Sequence, residues 1–174
     1  MRKLVCMTGS AADRAAAELL EHQAALLERR FSRRFLARIG KPAPAGLPAF
    51  AEKAVEVGEG GLWAALWKLG EAAKTGFIVD ASAVPIRQET VEICEFLEQD
   101  PYSLPSAGAV FLCDPQAVLE AEEEKERLML SAQEAGEDPP AMRSGFAVIG
   151  HTTTAPARTV RIGDRIRYLN RSAV

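Results

Sequence analysis

Three of the four residues in Gly58-Glu59-Gly60-Gly61 are glycines, and they sit directly before the helical pattern that begins at Leu62. Backbone N–H groups at a helix start lack intrahelical partners, and glycine puts no Cβ in their way, so such a turn can take a phosphate or a carboxylate. Close helix packing through the glycine pair is the competing reading. Glu59 opposes a second negative charge there and must point away or cap its own helix. Arg87, with Gln88 and Glu89 after it and Pro85 before it, stands at another helix start. It is either a two-pronged guanidinium fork for an anion or surface charge at a capped helix. Ser106-Ala107-Gly108 lies between Pro105 and an apolar run, where its amides could face the same cleft or simply turn the chain into a strand. The candidate anion- or ligand-binding set is therefore Gly58, Glu59, Gly60, Gly61, Arg87, Ser106 and Gly108.

Acid–base and covalent chemistry have fewer candidates. His151 follows Ile149-Gly150 and precedes three threonines, without a carboxylate beside it in sequence; it reads as an acid or base, or as a strand-end histidine. His22 falls in an exposed helical pattern. Cys94 lies on the apolar side of its helix, a place for a core thiol more than for a nucleophile. Cys6, Cys94 and Cys113 are odd in number and widely spaced with no C-x-x-C pair, so no metal site is expected. Reduced buried thiols suit a cytoplasmic protein. No nucleophile and base can be paired, and the catalytic residues are left unassigned.

These residues are held by alternating strands and helices. Lys3 to Met7 reads as a buried strand, and Ser10 to Glu28 as a helix with Leu19, Leu20, Leu26 and Leu27 on one side. Phe31 to Ile39 reads as a second, basic helix ended by Gly40, and Lys41 to Pro48 as a turn rich in proline. A helical run is expected over Ala49 to Val57, then the helix Gly61 to Ala73, in which Leu62, Leu66 and Leu69 share a face and Trp63 and Trp67 should be substantially buried. Phe77 to Val79 and Ala109 to Leu112 read as buried strands. Gln88 to Leu97 and Pro115 to Glu134 read as helices, the latter with Glu122, Glu123, Glu124 and Glu126 on its solvated side. Ala135 to Ser144 is the best candidate for a mobile loop. Phe146 to Ile149, Arg158 to Ile162 and Arg165 to Leu169 are expected strands, the last two joined by a Gly163-Asp164 hairpin. The pattern is a layered α/β (α+β) domain, a mixed sheet covered by helices, and residues 1–174 form one domain.

The 174 residues are 48% hydrophobic and 26% charged, a globular balance that excludes a disordered or fibrous chain. No apolar run approaches the ~20 residues that span a bilayer, and a net charge of −3 offers no general handle for nucleic acid, so neither a membrane nor nucleic acid is expected as a partner. Charge is uneven all the same. Residues 1–50 carry nine Lys/Arg against four Asp/Glu, and residues 51–174 carry twelve against twenty.

The stretch from Gly58 to Leu69 resembles the carboxy-terminal domain of the aminoimidazole ribonucleotide synthetase (PurM-like) superfamily, nearest its hydrogenase maturation factor branch. The likeness continues through Val84 to Phe96, Asp100 to Gly108 and Phe146 to Gly150, and covers about Lys3 to Leu169, with a lengthened region around Glu120 to Arg143. Within the motifs, Glu56 and Gly58 stand where the branch usually has Asp and Thr, Asp100 where it has Asn, and Ala107 where it has a second Ser. In the family, an amino-terminal domain dimerises and supplies most of the magnesium and ATP site. If Met1 is the native start, that half is missing. The resemblance then implies a ligand-binding or assembly module that is not catalytic alone, with no cofactor of its own. The alternative is half of a split enzyme that phosphorylates an amide or carboxylate oxygen with ATP and magnesium brought by a separate chain. The expected partners are a second copy or an amino-terminal-domain-like protein, with the basic helix Phe31 to Ile39 and the acidic run Glu120 to Glu126 as complementary surfaces, and a small anion as the ligand.

Overall fold

The computed structural model describes residues 2–42, 46–135 and 145–170. Its seven strands form one sheet in the order β2-β4-β1-β5-β3-β6-β7. They are β1 (Leu4–Thr8), β2 (Lys53–Gly58), β3 (Gly76–Asp80), β4 (Ser106–Cys113), β5 (Phe146–Thr153), β6 (Arg158–Ile162) and β7 (Arg165–Tyr168). All neighbours are antiparallel except β3 and β6, so the sheet is mixed, and Gly163-Asp164 closes the β6–β7 hairpin. The helices are α1 (Asp13–Arg30), α2 (Arg33–Leu36), α3 (Gly61–Ala73), α4 (Gln88–Phe96) and α5 (Pro115–Ala135).

Alternation along the strands sorts the apolar residues onto two faces. Val5, Met7, Val110, Leu112, Phe77, Val79 and Val160 point to the inner face and meet Leu62, Trp63, Leu66 and Leu69 of α3. Cys6, Phe111 and Cys113 point to the outer face, where Val118 at the foot of α5 covers them together with Phe50 and Phe146. Leu27 of α1, Leu36 of α2 and Ile93 of α4 form a third cluster among the helices themselves. Trp63 is 2% exposed. Trp67 is only partly buried, because it sits a turn further out, where the Arg158 guanidinium lies 4.3 Å above its ring.

Two expected elements take another form. Residues 49–57 are not helical: a turn at 49–50 leads into β2, which pairs with β4 from Lys53↔Leu112 to Gly58↔Ser106. Ladder pairing and the burial of Val57 outweigh the helix propensity of its alanine, lysine and glutamate residues. The basic helix expected over Phe31 to Ile39 is one four-residue turn, capped by Ser32 and continued by tighter bonds from Arg38 to Phe35 and from Ile39 to Leu36. α1 begins three residues later than expected and is kinked at Gln23. Of the loop expected at Ala135 to Ser144, Ala135 ends α5 and 136–144 lie outside the described residues.

Candidate functional site

The sheet order brings β2, β4 and β1 side by side, and their antiparallel sense puts the ends of β1 and β2 beside the start of β4. Gly58 faces Ser106 across the ladder, and α1 and α4 both start at this edge. All seven sequence candidates thus lie toward one end of the molecule, but they divide into three settings.

Ser106 and Gly108 are structural here. The Ser106 hydroxyl, 2% exposed, accepts the Ala12 N–H at 2.7 Å and lies 3.4 Å from the Leu104 carbonyl. A Cβ on Gly108 would overlap the Thr8 carbonyl, and the chain at Gly9 crosses against it with φ +73. The amide of Ala107 is also engaged: it donates to Asp13 Oδ1 at 2.9 Å, the atom that accepts the Arg14 N–H at 2.7 Å. With Ala15 donating to the Pro105 carbonyl and Ala11 to the Pro85 carbonyl, much of the first turn of α1 is satisfied from within. That start is closed to a ligand.

The glycine turn is the second setting. Gly60 occupies the cap position of α3 with no side-chain cap, and Gly61 has φ +73. A Cβ on Gly61 would run into the backbone of Tyr102 and Ser103, so this glycine is required for close approach to the 101–103 turn. Glu59 points back to α1 and forms an ion pair with Arg14, and Gly58, with φ +56, faces open space. Asp100 anchors the arrangement. Its Oδ2 accepts Trp63 Nε1 at 3.1 Å and the Ser103 hydroxyl at 2.9 Å, while Oδ1 accepts the Tyr102 N–H at 3.1 Å. The Trp63 and Tyr102 rings pack at a 39° tilt with centroids 4.8 Å apart, and burial followed by the Asp100 charge raises the Tyr102 hydroxyl's pKa.

Arg87 is the third setting. It precedes α4 without capping it and lines a cleft of about 190 Å³ with Gly9, Ser10, Asp13, Lys41 and Glu89. Its Nη1 reaches only the Arg38 carbonyl, at 3.5 Å, and among the described residues it has no carboxylate partner. Glu89 is taken by Arg38 at 3.4 Å, and one Asp13 oxygen by the two amides already named. Among the described residues Arg87 and Lys41 are the lining cations without a carboxylate partner, and Asp13, whose second oxygen lies by Gly9, lines the same cleft. Ser10, Asp13, Lys41 and Glu89 were not singled out in the sequence, because only the fold carries residues 9–13 and 39–42 against the start of α4.

His151 lies elsewhere, within β5 between Leu4 and Ile78. Burial first, then the charges of Arg2 and Arg161, hold its pKa below the usual imidazole value, so it is neutral near pH 7. Among the described residues no three His, Cys, Asp or Glu side chains gather as metal ligands, and no helix is long and apolar enough to cross a membrane.

No family model matches the chain. It is similar to the carbamoyl dehydratase HypE of Rhodobacter capsulatus, 31% identical over 107 residues, which is 62% of this chain and 30% of that protein. Among solved structures, E. coli HypE, a hydrogenase maturation protein, aligns over 97% of this chain and 49% of its own, with TM-score 0.62 and 17% identity. The chain has the PurM-like superfamily fold, like the hydrogenase maturation factors. A thiamine-monophosphate kinase from Stenotrophomonas maltophilia aligns over 92% of this chain and 50% of its own, with TM-score 0.56 and 20% identity. A HypE–HypF complex matches over 97% of this chain and 52% of that one, with TM-score 0.63 and 15% identity. This chain therefore spans about half the length of the solved chains and 30% of the curated relative. The partial coverage fits a carboxy-terminal domain of the PurM-like fold.

Proposed function

We propose that the chain is a ligand-binding and assembly domain that takes a small phosphate- or carboxylate-bearing molecule in the Arg87 cleft and performs no catalysis alone. The observation that carries this reading is the Arg87 guanidinium, without a carboxylate partner among the described residues, lining a concave site whose other cation is Lys41. A guanidinium and an ammonium give two charge-assisted contacts to an anion, and the free Asp13 oxygen gives an acceptor for a donor group on the same ligand. The Gly58 to Gly61 turn does not line this cleft; it serves the packing against Tyr102 and Ser103, with Glu59 paired to Arg14. In this reading ATP and magnesium enter only with residues of another chain. Isothermal titration with inorganic phosphate and with ATP and magnesium tests the reading. Binding that is lost in Arg87→Ala supports it. Heat-silent titrations, or phosphate release from ATP by the pure chain, reject it.

The second reading is half of a split enzyme that phosphorylates an amide or carboxylate oxygen. The similarity to a carbamoyl dehydratase and the match to about half the length of the solved chains favour it. ATP hydrolysis that appears only when a separately encoded amino-terminal-type chain is mixed with this one would support it over the first.

A further inference from the structure

The Arg87 cleft is small for a whole ligand. At about 190 Å³ it falls under the roughly 300–1,000 Å³ that small-molecule sites occupy, so it has room for an anionic head and little else. It does not deepen toward the core, because Ala16 and Thr90, 1% and 2% exposed, line it on that side. A ligand larger than its head must continue sideways.

A second cavity, of about 490 Å³, lies beside the cleft. The two share the consecutive lining residues Ile39, Gly40, Lys41 and Pro42, and both run along α1. At about 100° per residue, Ala16 and Asp13 of the cleft occupy one flank of α1. Leu20, Ala17, Glu21, Arg14 and Glu18 of the second cavity cover roughly 160° that begins on the same flank. The cavities are therefore successive compartments of one groove between α1 and residues 39–42, with Lys41 in the wall of both. Gly40 ties Arg87 to that wall. A Cβ on Gly40 would lie 3.5 Å from Arg87 Nη1, the nitrogen that meets the Arg38 carbonyl at 3.5 Å. The guanidinium thus sits against the segment that borders the second compartment.

The second compartment has a different chemistry. Ala17, Leu20, Ile39 and Pro42 give it apolar walls. Glu18 is taken by Arg14 at 3.0 Å, and Glu21 has no cation partner among the described residues. Such a lining accepts hydrocarbon and opposes a second negative charge.

We propose that the ligand of this groove has one anionic head and an uncharged apolar body, the head at Arg87 and Lys41 and the body against Ala17, Leu20, Ile39 and Pro42. The proposal rests on the anion-binding reading of the cleft and adds the other half of the ligand. A phosphate ester or carboxylate of an aromatic ring or a short hydrocarbon chain has this form. A molecule charged at both ends does not, because Glu21 would meet its second anion.

Isothermal titration of the full chain with inorganic phosphate, phenyl phosphate and 4-carboxyphenyl phosphate reads the outcome. Phenyl phosphate should bind about tenfold more tightly than inorganic phosphate, the effect of taking roughly 60 Å² of ring surface out of water. 4-Carboxyphenyl phosphate should lose that gain. In ¹H–¹⁵N spectra phenyl phosphate should also shift the amides of Ala17, Leu20 and Glu21, which inorganic phosphate leaves in place. Ala17→Trp, which fills the second compartment, should bring phenyl phosphate down to the affinity of inorganic phosphate while the latter still binds; if that variant unfolds, the spectra of the unaltered chain decide. Phenyl phosphate that gains nothing over a bound, Arg87-dependent inorganic phosphate would overturn the proposal and leave the anion site standing. So would a gain that 4-carboxyphenyl phosphate keeps, or one that leaves the amides of 17, 20 and 21 silent. If neither inorganic phosphate nor its esters bind, the anion site itself fails, and the proposal with it.

Discussion

Asp100 shows how one side chain can do the work of several. Its two oxygens cap a turn, hold the Trp63 indole and fix Ser103, and the turn they hold is the one against which Gly61 must pack. Gly61→Ala should therefore cost more than the ~1 kcal/mol of an ordinary glycine change, because both its positive φ and the contact with Tyr102 and Ser103 resist a Cβ. Urea melts check this, and Gly58→Ala, also at positive φ but facing open space, separates backbone strain from the clash. The thiols give a second test. Cys6 and Cys113 are buried with sulfurs 3.6 Å apart; their contact raises the Cys6 pKa and lowers that of Cys113. Burial, with Asp100 nearby, pushes Cys94 up to about 11. All three should resist iodoacetamide in the native state and label together on unfolding; mass spectrometry showing one that labels within minutes would contradict its burial. At the other end of the sheet, the Ser82 hydroxyl and N–H, then Arg161, hold the Asp80 carboxyl below its usual 3.8. Since the folded value is depressed, its contribution is present above the unfolded value and is lost as pH falls through the folded one. Asp80→Asn should flatten the acid limb of stability below about pH 4.

α3 carries the inner core, and its pattern was readable because leucines at 62, 66 and 69 cannot share a side on anything but a helix. Strands β1, β3 and β4 were equally plain as short apolar runs between turn residues, and β6 and β7 as alternating segments about Gly163-Asp164. β2 was not: Ala54, Val55, Glu56 and Val57 serve helix or strand, and the arbiter, pairing to β4, is a contact 50 residues away in sequence. The Phe31 to Ile39 segment failed as a long helix for a related reason. Phe31 and Phe35 stack at 4.8 Å, and Leu36 and Ile39 turn inward onto Leu27 and Ile93, a packing that a longer helix axis would pull apart. Among the site residues, Arg87 could be read from its place after Pro85, whereas Lys41 and Asp13 reach the cleft only through the third cluster of helices. The energetic contrast between elements is direct. Leu66→Ala in α3, at a fully buried position, should cost about 2–5 kcal/mol, while Leu130→Ala in α5 should stay within about 0.5 kcal/mol in the monomer. Equal losses in the two melts would place α5 in the folding core.

At the scale of the molecule, the two halves of the sheet differ. Its β2-β4-β1 end gathers the starts of α1 and α4 around Arg87, and its β5-β3-β6-β7 side leaves Ile78, Ile166 and Tyr168 exposed. The charge asymmetry seen in the sequence, basic before residue 50 and acidic after, reappears as Arg38 and Lys41 near the cleft and as the carboxylates of α5, while Arg87 comes from the acidic part of the chain. Leu130→Asp, at an exposed position on α5 outside the cleft lining, should leave anion binding unchanged, whereas Arg87→Ala abolishes it. The central claim is that the cleft binds an anion. A ¹H–¹⁵N correlation titration with inorganic phosphate tests it residue by residue: the account predicts saturable shifts confined to the amides of Gly9, Ser10, Lys41, Arg87 and their neighbours, abolished by Arg87→Ala. Shifts that are absent at 50 mM phosphate, or that cluster at α5 and β7 while the cleft stays silent, would contradict it.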